Sequence, residues 1–259
     1  MTCEACKTIP PVIAEGYENK GSWGEVAGLK TCPPSATKAL VALYDIFGPA
    51  PQTLQGADAL SAALGALVLV PDFFKGVKME FSWYADDLSE EIKALKEAFS
   101  KLALDFSGFV PALKDVVAEG KGRWEGVEAW GAYGLCWGGK VVALSSGPGT
   151  PFKASGQVHP GRLATSDAHQ ITIPHIVLAS DGEDASIVQE YKDVLVGAGK
   201  PGVVDTYKGM HHGLPTLPIY SYLPTSEFQF NLVVSALLLS FGSSILKKRR
   251  EEKSSVQIG

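Results

Sequence analysis

The chain has 259 residues, 46% hydrophobic and 20% charged, with a net charge of -5 and an isoelectric point near 5.6. Such a length suits one large α/β domain that buries roughly three quarters of its unfolded surface, and the acidic balance excludes the basic footprint of a nucleic-acid binder. Four cysteines, Cys3, Cys6, Cys32 and Cys136, are too few and too scattered to be a disulfide framework.

The amino terminus, MTCEACKTIPP, lacks a basic region followed by an apolar one, so no secretory signal is read there and a cytoplasmic location is expected. Cys3 and Cys6 have C-x-x-C spacing without a second pair or a histidine partner, and are taken as bystanders. Further on, short apolar runs alternate with longer amphipathic ones. Strands are predicted at 38–44, 66–70, 127–134, 156–159, 175–179 and 203–207, each bounded by Gly, Pro or Asp. Helices are predicted at 51–64, 88–106, 111–119, 139–145 and 185–197; the second carries Leu88, Ile92, Leu95, Phe99 and Leu102 at three- and four-residue spacing. Alternation of this kind predicts a mostly parallel central sheet with helices on both faces, with functional residues in loops at the carboxyl ends of its strands.

Chemistry concentrates in Gly131–Lys140, GAYGLCWGGK. Gly134-Leu135-Cys136-Trp137-Gly138 is a G-x-S-x-G pattern with cysteine in the serine position, set between a predicted strand and a predicted helix, which is the context of a nucleophile elbow. The turn is so tight that only very small residues fit at Gly134 and Gly138. The positive end of the following helix favours thiolate. Partners follow in the order acid, then histidine: the strand 175–179 runs into Ser180-Asp181-Gly182-Glu183-Asp184, and the strand 203–207 leads to Gly209-Met210-His211-His212-Gly213. An imidazole oriented by a carboxylate takes the thiol proton and raises the thiolate available at neutral pH.

Cys136 within GLCWGGK, together with YDIFG (44–48), VPDFF (70–74), QVHPG (157–161) and MHHG (210–213), resembles the dienelactone hydrolase family, most closely its fungal members. The likeness covers nearly all of residues 3–213. It implies an α/β-hydrolase-like fold, a cofactor-free Cys-Asp-His triad and a small ester or lactone as substrate. Carried onto this chain, it makes Cys136 the nucleophile and His212 the base, with His211 a bystander. Asp45, before Ile-Phe-Gly, becomes the residue that regulates the cysteine, its other reading being a carboxylate that caps a loop. The backbone N–H groups of Ile46 and Trp137 become the oxyanion hole. The acid must come from Asp181, Asp184 or, third in order, Glu183, because Gly182 stands where relatives carry an acid. Asp181 is preferred for its place at the strand end, and Asp184 is better placed to cap the next helix. His159 in QVHPG has two readings, a side chain that reaches the cleft from its strand end and, preferred, a satisfied structural histidine. No His/Asp cluster has metal-ligand spacing, so a metal hydrolase is disfavoured.

Residues 1–213 are expected to form this domain and 214–259 a divergent tail. The run 230–246 is mostly apolar and is followed by Lys247-Lys248-Arg249-Arg250, at the lower limit for a membrane span. An altered coding sequence whose product packs on the sheet is favoured over a membrane anchor. The family's substrate-binding arginine has no counterpart in this tail. The competing function is a non-catalytic scaffold of the same fold that binds a small molecule or a protein; the oligomeric state is not readable.

Overall fold

The computed structural model describes residues 17–18, 20–23, 28–31, 36–197, 202–208 and 212. Cys3, Cys6, Cys32, His211 and the whole of 214–259 lie outside these, and so do the expectations placed on them. Among the described residues eight strands form one sheet in the order β1-β2-β4-β3-β5-β6-β7-β8. The strands are β1 (Ser22–Trp23), β2 (Gly28–Thr31), β3 (Lys38–Leu43), β4 (Leu67–Pro71), β5 (Ala129–Leu135), β6 (Ala154–Val158), β7 (His175–Ala179) and β8 (Gly202–Thr206). From β4 to β8 every neighbour is parallel, while β1 and β2 add an antiparallel edge that the sequence reading did not anticipate.

The central parallel strands β3 and β4 are almost wholly apolar because both of their faces are covered. Leu40, Val41 and Leu43 of β3 and Leu67 and Val68 of β4 have no solvent exposure. The covering helices are α1 (Pro51–Leu64), α2 (Glu90–Leu104), α3 (Phe106–Arg123), α4 (Trp137–Leu144), α5 (Thr165–Gln170) and α6 (Ala185–Lys192). From β3 the chain steps one way to β4 through α1, then back past β3 to β5 through α2 and α3, and onward to β8. Right-handed crossovers therefore set α1 on one face and the later helices on the other.

That reversal opens a crevice between the carboxyl ends of β3 and β5, the place where open α/β sheets bind ligands. Register aligns those ends: Leu43 pairs with Gly134, and Leu135 pairs with Val158. Asp45, Cys136, His159, Glu183 and His212 then leave from the ends of β3, β5, β6, β7 and β8.

Two of the sequence motifs are joined here. Tyr44 donates to Asp72 Oδ1 at 3.0 Å and accepts from the Phe74 N–H at 2.8 Å, tying YDIFG to VPDFF. Phe74 in turn packs on Trp137 with ring centroids 4.3 Å apart, and the Trp137 indole donates to the carbonyl of Ala103 at 2.7 Å. Burying this aromatic cluster clamps the start of α4 between the sheet and α2.

Candidate active site

Cys136 sits between β5 and α4 with φ +47° and ψ -108°, a conformation an L-residue adopts only under constraint. The constraint is visible in its flanking glycines. A Cβ on Gly134 would lie 2.1 Å from the carbonyl carbon of Gly138, and one on Gly138 would lie 2.6 Å from the backbone oxygens of Leu43 and Tyr44. Strand, turn and helix therefore close on one another only with hydrogen at both positions, as the pattern predicts. The Cys136 N–H donates to Val158 O at 3.1 Å, and its carbonyl accepts from Gly161 at 2.9 Å, so the elbow is stitched to the loop after β6.

His212 faces this thiol. The ligand atoms of Cys136, His159 and His212 all lie within 4.8 Å of one another. The Nδ1 of His212 is 2.6 Å from Glu183 Oε1, and the other oxygen of that carboxylate accepts from the Ser180 N–H. The side chain of Glu183 is 4% exposed and that of His212 10%. The carboxylate against the imidazole is thus Glu183, not Asp181, which lies exposed in the same loop. Gly182 explains the shift. A Cβ at 182 would stand 3.1 Å from the His212 Cβ, so the chain passes close beside the histidine there and the next side chain is the one that turns in. Asp184 caps α6 instead, accepting from Ser186 at 2.8 Å and Ile187 at 3.3 Å.

Asp45 is buried and accepts from the Phe47 N–H at 2.8 Å, which closes the turn after β3. Burial pushes its carboxyl up to about 6, against the opposing pull of the Phe47 N–H and of the charge on His212. Ile46 and Trp137 line one cavity together with Cys136, and Trp137 is the first residue of α4, where a backbone N–H has no partner within the helix. That cavity holds about 580 Å³, the range of small-molecule sites. Met79, Phe99, Asp86, Lys96 and Arg162 are also in its wall.

His159 departs furthest from expectation. It is 1% exposed, its backbone has φ +38°, and among the described residues neither ring nitrogen has a hydrogen-bond partner. Its ring stands edge-on to that of His212 with centroids 4.7 Å apart. Burial and the neighbouring His212 hold it neutral, well below the ordinary histidine value. Among the described residues it is not the satisfied structural histidine that its strand-end position suggests. With it the fold gathers a Cys-His-His cluster that linear spacing, across positions 136, 159 and 212, does not reveal. Arg162 escaped the sequence reading too; its only signal was its place directly after QVHPG.

The dienelactone hydrolase family model matches residues 26–218, most of the chain. The chain belongs to the dienelactone hydrolase family. An uncharacterized AIM2 family protein of Schizosaccharomyces pombe is 31% identical over 182 residues, covering 69% of this chain and 72% of that relative. Among solved structures, the dienelactone hydrolase of Anabaena variabilis superposes with a TM-score of 0.59 at 17% identity, covering 84% of this chain and 94% of its own. A dienelactone hydrolase-like promiscuous phosphotriesterase from metagenomic libraries does so at 0.57 and 18%, covering 83% and 92%. Both share the α/β-hydrolase fold of this dienelactone hydrolase family member. Among its described residues no helix is long and apolar enough to cross a membrane.

Proposed function

We propose that this dienelactone hydrolase family member cleaves a small ester, lactone or thioester through a Cys136–His212–Glu183 triad and a cysteinyl-acyl intermediate. The observation that carries the reading is the chain of contact from Glu183 to His212 Nδ1 to the thiol beside it. A carboxylate on Nδ1 keeps that nitrogen protonated and leaves Nε2 as the base.

Nε2 takes the thiol proton, and the sulfur attacks the carbonyl carbon. Asp45, held close enough to feel the charge on His212, favours the imidazolium that forms. The N–H groups of Ile46 and Trp137 donate to the developing negative oxygen, where fixed donors act without reorganisation. When the tetrahedral species collapses, the carbon–oxygen bond of the ester breaks and the leaving oxygen receives the proton from His212. Water then gives a proton to Nε2 and attacks the thioester carbon; the acid departs, and the sulfur is released to its starting state. No cofactor enters this sequence. Lys96 and Arg162 at the cavity wall, against Asp86, favour a substrate carrying a negative group.

Intact-mass spectrometry after exposure to a panel of activated esters and lactones tests the reading. Acyl addition confined to Cys136, with product release, supports the hydrolase. Absence of addition across the panel supports the scaffold instead.

A further inference from the structure

We propose that Cys136 Sγ, one ring nitrogen of His159 and Nε2 of His212 form a binding site for a zinc-type divalent cation, and that the bound cation blocks the nucleophile. A triad needs only a thiol, an imidazole and a carboxylate, and His159 has no part in it. Yet His159 is buried at the same point, with both ring nitrogens unpartnered among the described residues and its ring against His212. Leaving a buried polar ring unsatisfied costs free energy that a ligand there recovers.

The donor set selects the ion. One thiolate and two neutral imidazoles suit a borderline-soft metal rather than calcium or magnesium, which take oxygen ligands. Ligands at about 2.0–2.3 Å in a tetrahedron stand roughly 3.5 Å from each other, so atoms already within 4.8 Å close on an ion by side-chain movements of roughly 1 Å. Glu183 on His212 Nδ1 is the arrangement that orients and strengthens a histidine ligand, leaving Nε2 for the metal. Binding removes one proton, the one that Cys136 and His212 share, and it leaves to solvent. The fourth position is left for water. An ion so held takes both the nucleophile and the base out of use until a chelator removes it.

The test uses the full chain with Cys3→Ser and Cys6→Ser, because that C-x-x-C pair is the other thiol site able to bind the same ions. Cobalt(II) is titrated while the thiolate-to-cobalt absorption is followed, and zinc competes it away. One equivalent is expected to saturate the band, and Cys136→Ser to abolish it. His159→Asn, a residue that tolerates the left-handed backbone, and His159→Gln are each expected to weaken binding by more than about tenfold, since losing even an outer-shell partner costs about 10–100-fold. Circular dichroism establishes that each variant is folded. A missing thiolate band in the parent chain overturns the proposal, and so does a band of equal affinity in both folded His159 variants. The cobalt readout is independent of turnover, so failure of this proposal and failure of the hydrolytic reading give different results. If the chain does hydrolyse an ester, zinc suppresses the rate and excess chelator restores it.

Discussion

Glu183 and Asp181 are two positions apart in one loop, and it is the Glu183 carboxylate that stands 2.6 Å from His212 Nδ1. Replacing a triad acid by its amide lets the imidazole adopt the wrong tautomer, at a loss of roughly 10⁴ in turnover in serine proteases. Glu183→Gln is therefore expected to lower kcat by about that factor with little change in melting temperature, whereas Asp181→Asn stays near wild type; steady-state kinetics on an activated ester and a thermal melt decide between them. A severe loss in Asp181→Asn alone would return the role to that residue. Cys136→Ala is expected to abolish hydrolysis while the circular dichroism spectrum is unchanged, and residual turnover near wild type would remove the thiol from the mechanism. The cysteine was legible because its neighbours advertise a turn that only glycines allow. The acid was not, because three carboxylates share the loop and the choice among them rests on where the backbone passes His212. Asp184 could be read, since capping depends only on the helix that follows. His159 could not, because nothing local tells whether a strand-end histidine finds a partner.

The elbow is an element in which three pieces of backbone meet at hydrogen. Adding a methyl at Gly138 drives it into backbone oxygens of β3 that cannot rotate away. Gly138→Ala is expected to lower stability by about 3 kcal/mol or more, read as a shift in urea midpoint at constant m. By contrast Asp184→Ala loses one exposed helix cap, and a small fall in melting temperature with kcat spared is expected. A fall in kcat there would give Asp184 a catalytic part. The elements themselves were legible to different degrees. Helix 51–64 and strand 175–179 match their predicted bounds because Pro and Gly bracket the first and Pro and Asp the second. Helix α3 starts at Phe106 rather than 111, because the Asp105 side chain caps it by accepting from Ser107 and Pro111 is then carried inside the helix rather than opening it. Likewise α4 starts at Trp137, two residues before the predicted start, since Gly138 and Gly139 are weak helix formers held helical by packing. The short β1 and β2 pair antiparallel, β1 on β2 and β2 on β4, and this pairing is a tertiary choice without local signature.

At the scale of the molecule, two buried groups give stability opposing responses to pH. His175 is wholly buried, its Nε2 accepting from Gln157 at 2.9 Å and its Nδ1 proton donated to Ser155 at 2.7 Å, an arrangement that requires the neutral ring. Burial pulls it from the ordinary 6.5 down to about 3, so below pH 6.5 the unfolded chain takes up a proton that the folded one refuses. That loses about 1.4 kcal/mol of stability per pH unit as the pH falls. Asp45 works the other way: folded, it takes up its proton from about pH 6, whereas the unfolded chain waits until 3.8. Its contribution is present at low pH and lost as the pH rises through 6. Between about pH 4 and 6 the Asp45 slope offsets that of His175, while His159, also held neutral by burial, adds a slope of the same sign as His175. Asp45→Asn is expected to unmask the histidine slope, with stability dropping more steeply on acidification than in wild type; parallel urea curves across that window would show that the compensation does not exist. The sheet order also carries a consequence in time. The elbow lies in the middle of the chain, whereas its base arrives after β8, and His212 follows Cys136 by 76 positions. At about 5–20 residues per second, a ribosome needs roughly 4–15 s to cross that interval. Every newly made copy thus carries the thiol for seconds before its base is made, and the sulfur acquires that base only when β8 has been added to the sheet, which delays the reactive state until then.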